Sequence, residues 1–125
     1  MPKFGTSDWW KEHANLMNTD EEYRKGAKGF SSTFIYVIAE NRVFAKFIDG
    51  EVVDVHDAAL NEDAEYVIEA DPKVWTDMAK GKQSPKLAIM TGKIKIAKGN
   101  KMSLIGWINP CAKLFTNMVK VNTEF

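Results

Sequence analysis

The chain has 125 residues, of which 45% are hydrophobic and 27% are charged, and seventeen basic side chains balance seventeen acidic ones. This length and composition predict one globular domain over residues 1–125, and the zero net charge argues against nonspecific nucleic-acid binding. The single cysteine, Cys111, excludes a disulfide within the chain and a cysteine-based metal site. No apolar signal-peptide core or membrane-spanning stretch is apparent, so we expect a cytoplasmic protein.

The first part of the chain, residues 1–29, reads as a helical N-terminal extension. Apolar and aromatic side chains recur at three- and four-residue spacing, at Trp9, Trp10, His13, Leu16 and Met17. The run Thr19–Glu22 matches a capping box, in which a Thr hydroxyl and a Glu carboxylate satisfy free backbone N–H groups. We therefore expect a second helix to be capped at Thr19.

Residues 30–71 change to the two-residue period of β-strands. Strands rich in aromatic and β-branched side chains are predicted at residues 30–38, 42–48, 51–56 and 65–70. Asp49-Gly50 is the strongest hairpin signal in the chain, because a primed turn requires positive φ and glycine permits it.

Residues 72–125 read as helices plus the last strand. Two short helices are predicted to begin at Pro72 and Pro85, since the missing N–H of proline costs nothing at the first helical position. Lysine and apolar residues alternate over 93–98, which predicts a strand with one solvent-facing side. An apolar helical pattern from residue 102 to 121 is interrupted by Pro110, where we expect a kink or two shorter helices. The order of elements predicts an α+β fold.

One group of side chains, Asp54, His56 and Asp57, has the composition of a metal or acid–base site. Strand alternation places Asp54 and His56 on one face and Asp57 on the other, and no nearby cysteine or second histidine completes a nitrogen-rich metal site. An ordinary solvated histidine is the favoured interpretation. An enzyme or enzyme accessory subunit using these three residues remains an alternative, as does a protein-interaction module anchored by Trp9 and Trp10.

The run from residue 75 to 99 carries the most specific pattern. A helix containing Trp75 ends at Gly81, a Ser84-Pro85 step starts a second short apolar helix, and Gly92 precedes a strand of alternating lysine and isoleucine. This order and these residues resemble the sterol carrier protein type two family, and the likeness extends by order of elements over residues 30–115.

The resemblance implies a mostly antiparallel, curved five-stranded sheet covered by helices, with an apolar tunnel between the two layers. It implies noncatalytic intracellular binding or transfer of a fatty acid, fatty acyl-CoA, sterol or phospholipid, with no catalytic residue, metal or cofactor. The tunnel lining implied by the resemblance is Trp75, Met78, Leu87, Met90, Ile94, Met102, Ile105, Ile108 and Phe115. Residues 99–115 would form a lid, with Gly99-Asn100 as its hinge.

The expected partner is therefore a lipid or another long apolar small molecule. Lys93, Lys95 and Lys98 leave open a transient contact with an anionic membrane surface. The sequence does not distinguish a monomer from a homodimer.

Overall fold

The first strand in the chain lies at the centre of a five-stranded sheet. The computed structural model describes residues 1–125, and its strands are β1 (Ser32–Ile38), β2 (Asn41–Ile48), β3 (Glu51–Asp57), β4 (Tyr66–Ala70) and β5 (Ile94–Lys98). The strand order is β3-β2-β1-β4-β5. The β1–β4 pair is parallel and the other three pairs are antiparallel. The expected mostly antiparallel sheet is confirmed.

Helices cover one face of this sheet. They are α1 (Ser7–Thr19), α2 (Glu21–Gly26), α3 (Pro72–Ala79), α4 (Pro85–Met90), α5 (Lys101–Ile105), α6 (Ile108–Thr116) and a final 3₁₀-helix (Asn117–Lys120). Alternate residues of β1, such as Phe34 and Tyr36, join the helices in a core of 27 buried residues. Ile35 points to the opposite face, where a cluster of only three buried residues lies beneath the loop between β3 and β4. Any sizeable apolar site must therefore lie on the helical side.

The tryptophans of α1 belong to the central core. Trp9 and Trp10 are 0% and 2% exposed. The Trp10 ring stacks on Tyr36 of the sheet with a centroid separation of 3.8 Å, and the Trp9 indole N–H donates a hydrogen bond to Thr123 Oγ1 at 2.9 Å. These side chains present no surface to a partner, so the interaction module anchored by Trp9 and Trp10 is not supported. Residues 1–29 are an integral layer of the domain.

The turn between β2 and β3 forms as its sequence predicts. Asp49 and Gly50 have φ of +50° and +81°, and the flanking Ile48 and Glu51 are paired. The Asp49 carboxylate also accepts a hydrogen bond from the Gly29 N–H at 2.6 Å. The hairpin is thereby tied to the segment that leads into β1.

The cap of α2 is one residue later than expected. Asp20 occupies the cap position, and its carboxylate accepts a hydrogen bond from the Tyr23 N–H at 3.1 Å. Thr19 is the last residue of α1, and its hydroxyl donates to carbonyl oxygens of the preceding turn. Either side chain can cap a helix. Because α1 extends through Thr19, the next residue, Asp20, becomes the cap of α2.

The C-terminal apolar segment is divided into two helices, but Pro110 does not cause the division. The break lies at Gly106-Trp107, between α5 and α6. Pro110 lies in the first turn of α6, where backbone N–H groups have no intrahelical acceptor and proline is tolerated. The expected position of the kink was therefore wrong by three to four residues.

Candidate functional site

A narrow apolar pocket lies between the sheet and the helices that follow β5. Its floor is made by strand side chains that share the helical side of the sheet: Phe34 on β1, Ile68 on β4, and Ile94 and Ile96 on β5. Ile68 and Ile96 are direct partners across the β4–β5 pair. The two-residue period of the strands thus supplies a continuous apolar surface.

The roof of the pocket comes from α5 and α6. Ile108, Cys111 and Phe115 are spaced three and four residues apart on α6, so they project from one face of that helix. Leu104 and Ile105 contribute from α5, and Ile89 on α4 closes one side. Ten of the eleven side chains around the pocket are hydrophobic. The pocket favours a hydrocarbon chain over a polar molecule, because polar groups would lose hydration there without gaining partners.

The pocket is nearly closed in this structure. The space open to the centre of a water-sized sphere is about 20 Å³, roughly enough for one water molecule. Pockets that hold small molecules usually measure about 300–1,000 Å³. A long ligand therefore requires the roof to move away from the floor.

The helix α5 is the loosely held part of the roof. It has five residues, and only Leu104 among them is buried. The Asn100 side chain caps it by accepting hydrogen bonds from the N–H groups of Met102 at 3.0 Å and Ser103 at 3.2 Å. Ile105 lines the pocket and is still 41% exposed, which places it at the mouth.

Two residues of the pocket lining, Lys101 and Cys111, carry ionisable groups of different character. Lys101 is the one charged side chain in the lining, and it is exposed at the rim. Cys111 is buried, and burial raises the pKa of its thiol to about 12. The thiol is therefore protonated at neutral pH and is a poor nucleophile. The pocket offers an apolar interior with one ammonium group beside its opening.

The residues implied by the sequence fall into three places. Four lie on the pocket wall, namely Ile94, Ile105, Ile108 and Phe115. Trp75 and Met78 belong to α3 and are buried in the core outside the pocket lining. The Trp75 indole N–H donates a hydrogen bond to the Val37 carbonyl oxygen at 3.0 Å. The other three residues lie outside the wall and are exposed: Leu87 by 57%, Met90 by 74% and Met102 by 74%. Helical spacing indicates which apolar side chains share a face of a helix, but it does not indicate which face of a one-turn helix is turned inward.

Sequence reasoning missed seven residues of the lining. They are Phe34, Ile68, Ile89, Ile96, Lys101, Leu104 and Cys111. Strand alternation carried a signal for one of them, because Ile96 must share a face with Ile94. The floor residues Phe34 and Ile68 come close to Ile96 only because β4 inserts between β1 and β5, a pairing that the local sequence does not specify.

The group around His56 lies on the other side of the sheet. His56 stacks on Phe44, which belongs to the small cluster on the face away from the helices. Its Nδ1 lies 3.1 Å from Asp54 Oδ2 and its Nε2 lies 2.7 Å from Glu62 Oε2. These contacts raise the pKa of His56, and the hydrogen bond with Glu62 makes the largest contribution. Glu62 occupies the place that the sequence suggested for Asp57, and no cluster suited to a metal ion is present.

The fold and the pocket together define a small α+β domain with an apolar pocket between a sheet and its covering helices. The model of the SCP-2 sterol transfer family matches residues 14–104, and the chain belongs to that family. Membership supports lipid binding or transfer as the general activity. A comparison with curated proteins finds no significant match. No helix has the length and apolar character needed to cross a membrane.

Solved structures share this fold over most of the chain. A crystal structure of sterol carrier protein 2 is 21% identical, with a TM-score of 0.86 over 95% of this chain and 99% of that one. A conserved hypothetical protein from Thermus thermophilus is also 21% identical, with a TM-score of 0.85 over 98% of this chain and 92% of that one. A palmitated SCP2L2 from Aedes aegypti is 8% identical, with a TM-score of 0.55 over 80% and 92% of the two chains. At these identities the likeness concerns the fold.

Proposed function

We propose that this protein binds and transfers one long apolar ligand in the pocket between the sheet and α5–α6, and that it does so without catalysis. The candidate ligands are a fatty acid, a fatty acyl-CoA, a sterol or a phospholipid. The observation that carries the proposal is the composition of the pocket, ten hydrophobic side chains and one rim lysine. Burial of apolar surface, about 25 cal/mol per Å², supplies the affinity.

The rim favours an amphiphile with an anionic head. Lys101 stands at the opening and forms no ion pair with a carboxylate. An ammonium group attracts a carboxylate or phosphate that remains near water while the hydrocarbon chain is buried. The palmitated SCP2L2 from Aedes aegypti has the same fold, which supports a fatty acid as the first ligand to test.

The state of the reactive groups supports the noncatalytic part of the proposal. The Cys111 thiol is protonated, with a pKa raised to about 12. His13 is buried, and burial lowers its pKa to about 4. His56 lies on the sheet face away from the pocket. None of these groups offers a charged base or nucleophile to a ligand in the pocket.

Loading requires α5 to move outward, and Gly99 is the proposed hinge. Gly99 has φ of +114° and joins β5 to the capping residue Asn100. Glycine tolerates backbone conformations that other residues rarely adopt, so rotation there can lift α5 while α6 stays in place. Lid movements of this kind commonly control access to closed sites.

Native mass spectrometry and displacement of an NBD-labelled stearate test the proposal. We expect the purified protein to retain lipid or to bind one probe molecule per chain, and unlabelled palmitate to displace the probe. Probes of the acyl-CoA, sterol and phospholipid classes are then ranked against it. A protein that retains no lipid and binds none of the four probe classes contradicts the proposal.

A further inference from the structure

The chain has no net charge, but its basic and acidic residues are unevenly distributed along the sequence. Residues 78–123 contain nine lysines and no aspartate or glutamate. Because the chain has seventeen of each sign, the remaining residues carry eight basic and seventeen acidic side chains. Of the nine lysines, only Lys98 and Lys113 pair with a carboxylate. The segment that builds α4, β5, α5 and α6 is therefore strongly cationic.

The helices α4 and α5 repeat one surface pattern. Each has a lysine followed by two exposed apolar residues spaced three apart: Lys86, Leu87 and Met90 on α4, and Lys101, Met102 and Ile105 on α5. Residues three and four apart share a helix face. The four apolar side chains are 41–74% exposed and make up four of the ten large hydrophobic residues exposed on the protein. We call these six residues and Lys93 the α4–α5 face.

Both helices of this face border the pocket. Ile89 of α4 lines the pocket from one side, and Lys101 and Ile105 of α5 line it from another. Lys93 is exposed and immediately precedes Ile94 on the pocket floor. Its ammonium group donates to Gln83 Oε1 at 3.2 Å and has no carboxylate partner. Exposed apolar side chains and lysines without a carboxylate partner therefore lie on the two helices that border the pocket.

We propose that the α4–α5 face docks on the surface of an anionic lipid bilayer, with the apolar side chains in the interface and the lysines at the headgroups. Lysine ammonium groups attract anionic headgroups, and apolar side chains bind at the boundary with the acyl chains. A second copy of the chain is a poor occupant, because a symmetric contact would bring this cationic surface against itself. Docking goes beyond ligand binding in solution and can fail while that binding stands.

Vesicle sedimentation tests the electrostatic part. We expect wild-type protein to bind mixed phosphatidylcholine and phosphatidylserine vesicles and to bind phosphatidylcholine vesicles weakly. Each lysine near the surface changes partition by roughly fivefold, so Lys86→Gln with Lys93→Gln should weaken binding about 25-fold. The matched control, Lys25→Gln with Lys28→Gln, removes equal charge from exposed positions beside Glu21, Glu22 and Asp49 and should weaken it far less.

Binding of NBD-labelled stearate without vesicles separates this proposal from the proposed function. Lys86 and Lys93 do not line the pocket, so the double variant should bind the probe in solution as the wild type does. Absence of wild-type binding to anionic vesicles overturns docking, as does equal weakening by the two double variants. Loss of probe binding in every protein would instead overturn the proposed function.

Quenching by brominated lipid tests which side chains enter the interface. An added tryptophan in Met102→Trp should be quenched by vesicles that contain brominated acyl chains. Leu60→Trp is the control, because Leu60 is 96% exposed in the loop between β3 and β4 and lies in the acidic part of the chain. Stronger quenching of the Leu60 variant, or concentration-dependent dimers that block vesicle binding, overturns the proposed face.

Discussion

The imidazole Nε2 of His13 lies 2.5 Å from the main-chain carbonyl oxygen of Leu114. A carbonyl oxygen only accepts hydrogen bonds, so Nε2 carries a proton and donates it, while Nδ1 is unprotonated in the neutral ring. The contact joins α1 to α6 inside the core, where His13 is 2% exposed. One half of the pocket roof is therefore fixed to the N-terminal helix by a buried bond, whereas the side-chain link from α5 to the sheet runs from the exposed Ser103 to Tyr66.

The burial of His13 predicts a specific loss of stability in mild acid. Burial lowers its pKa to about 4 from an ordinary value of 6.5, against the opposing effect of the bond to Leu114. The unfolded chain takes up a proton as the pH falls through 6.5, and the folded protein does so only near 4. The free energy of unfolding includes the full contribution of the neutral His13 ring above pH 6.5. That contribution decreases by up to about 3 kcal/mol as the pH falls to 4.

Urea unfolding of the wild type and His13→Gln between pH 4 and 7 measures this loss. Glutamine can still donate to Leu114 but does not titrate, so the difference between the two curves isolates His13. His56 acts in the opposite direction: its pKa is raised, chiefly by the hydrogen bond with Glu62, so its contribution is present below pH 6.5 and is lost as the pH rises through the raised value. Parallel curves for the two proteins would show that His13 does not cause the acid sensitivity.

A bulky side chain at the pocket mouth should block the ligand. Ile105 lines the pocket and is 41% exposed, so Ile105→Trp can fill the opening without large strain in the core. We expect the affinity for NBD-labelled stearate to fall about tenfold or more, which corresponds to about 1.4 kcal/mol, with a nearly unchanged melting temperature.

Val119→Trp is the matched control for this substitution. Val119 is also β-branched and is 50% exposed, but it lies on the 3₁₀-helix outside the pocket. Its tryptophan variant should bind the probe normally. If Ile105→Trp instead leaves affinity unaltered and costs roughly 1–3 kcal/mol of stability, Ile105 is packed core and the assigned inner face of α5 is wrong.

Ligand binding should order α5 more than any other helix. In the nearly closed pocket, Leu104 is the one buried residue of α5, so the backbone amides of this helix should exchange readily with solvent. A hydrocarbon chain in the pocket adds contacts to Leu104 and Ile105. We expect palmitate to slow hydrogen exchange in residues 101–105 and to leave α1 unchanged, as measured by mass spectrometry. Protection confined to α1 or α3 would place the ligand elsewhere.

Local sequence patterns were sufficient to predict much of the fold. The Asp49-Gly50 turn, the starts of α3 and α4 at Pro72 and Pro85, and the strand before Gly99 all form as expected. Each rests on the conformational preferences of a few adjacent residues. The family resemblance added what local patterns lack, namely the arrangement of the sheet and the apolar space beside it.

The candidate site was less predictable, because a pocket wall depends on pairings between distant strands. Ile68 became part of the floor when β4 paired with both β1 and β5. Met90 and Met102 show the converse, since the family resemblance placed both in the lining and the structure exposes both by 74%. The predicted ligand role of the four wall residues stays a prediction, which the Ile105 variants test.

Gly92 and Gly99 lie on either side of the strand β5, and substitutions at these two positions test whether Gly99 is the hinge of α5. Both have positive φ, +114° and +77° respectively, so alanine is strained at either position. A Cβ on Gly92 meets no atom within 4 Å, whereas a Cβ on Gly99 would lie 2.3 Å from Tyr66 Cδ1 and 2.7 Å from the Glu65 carbonyl oxygen. Both substitutions therefore carry a backbone penalty, and they differ in the contact that the new Cβ makes.

We expect Gly92→Ala to cost about 1 kcal/mol for the left-handed backbone, and Gly99→Ala to cost a further 1–3 kcal/mol, roughly, because Tyr66 and the Glu65 backbone must shift. Chemical denaturation measures both values. If Gly99 is also the hinge, its alanine variant should bind NBD-labelled stearate more slowly in stopped flow, while Gly92→Ala keeps the wild-type rate. Equal association rates in the two variants, despite the larger stability loss at Gly99, would show that this glycine is required for packing against Tyr66 and not for opening the roof.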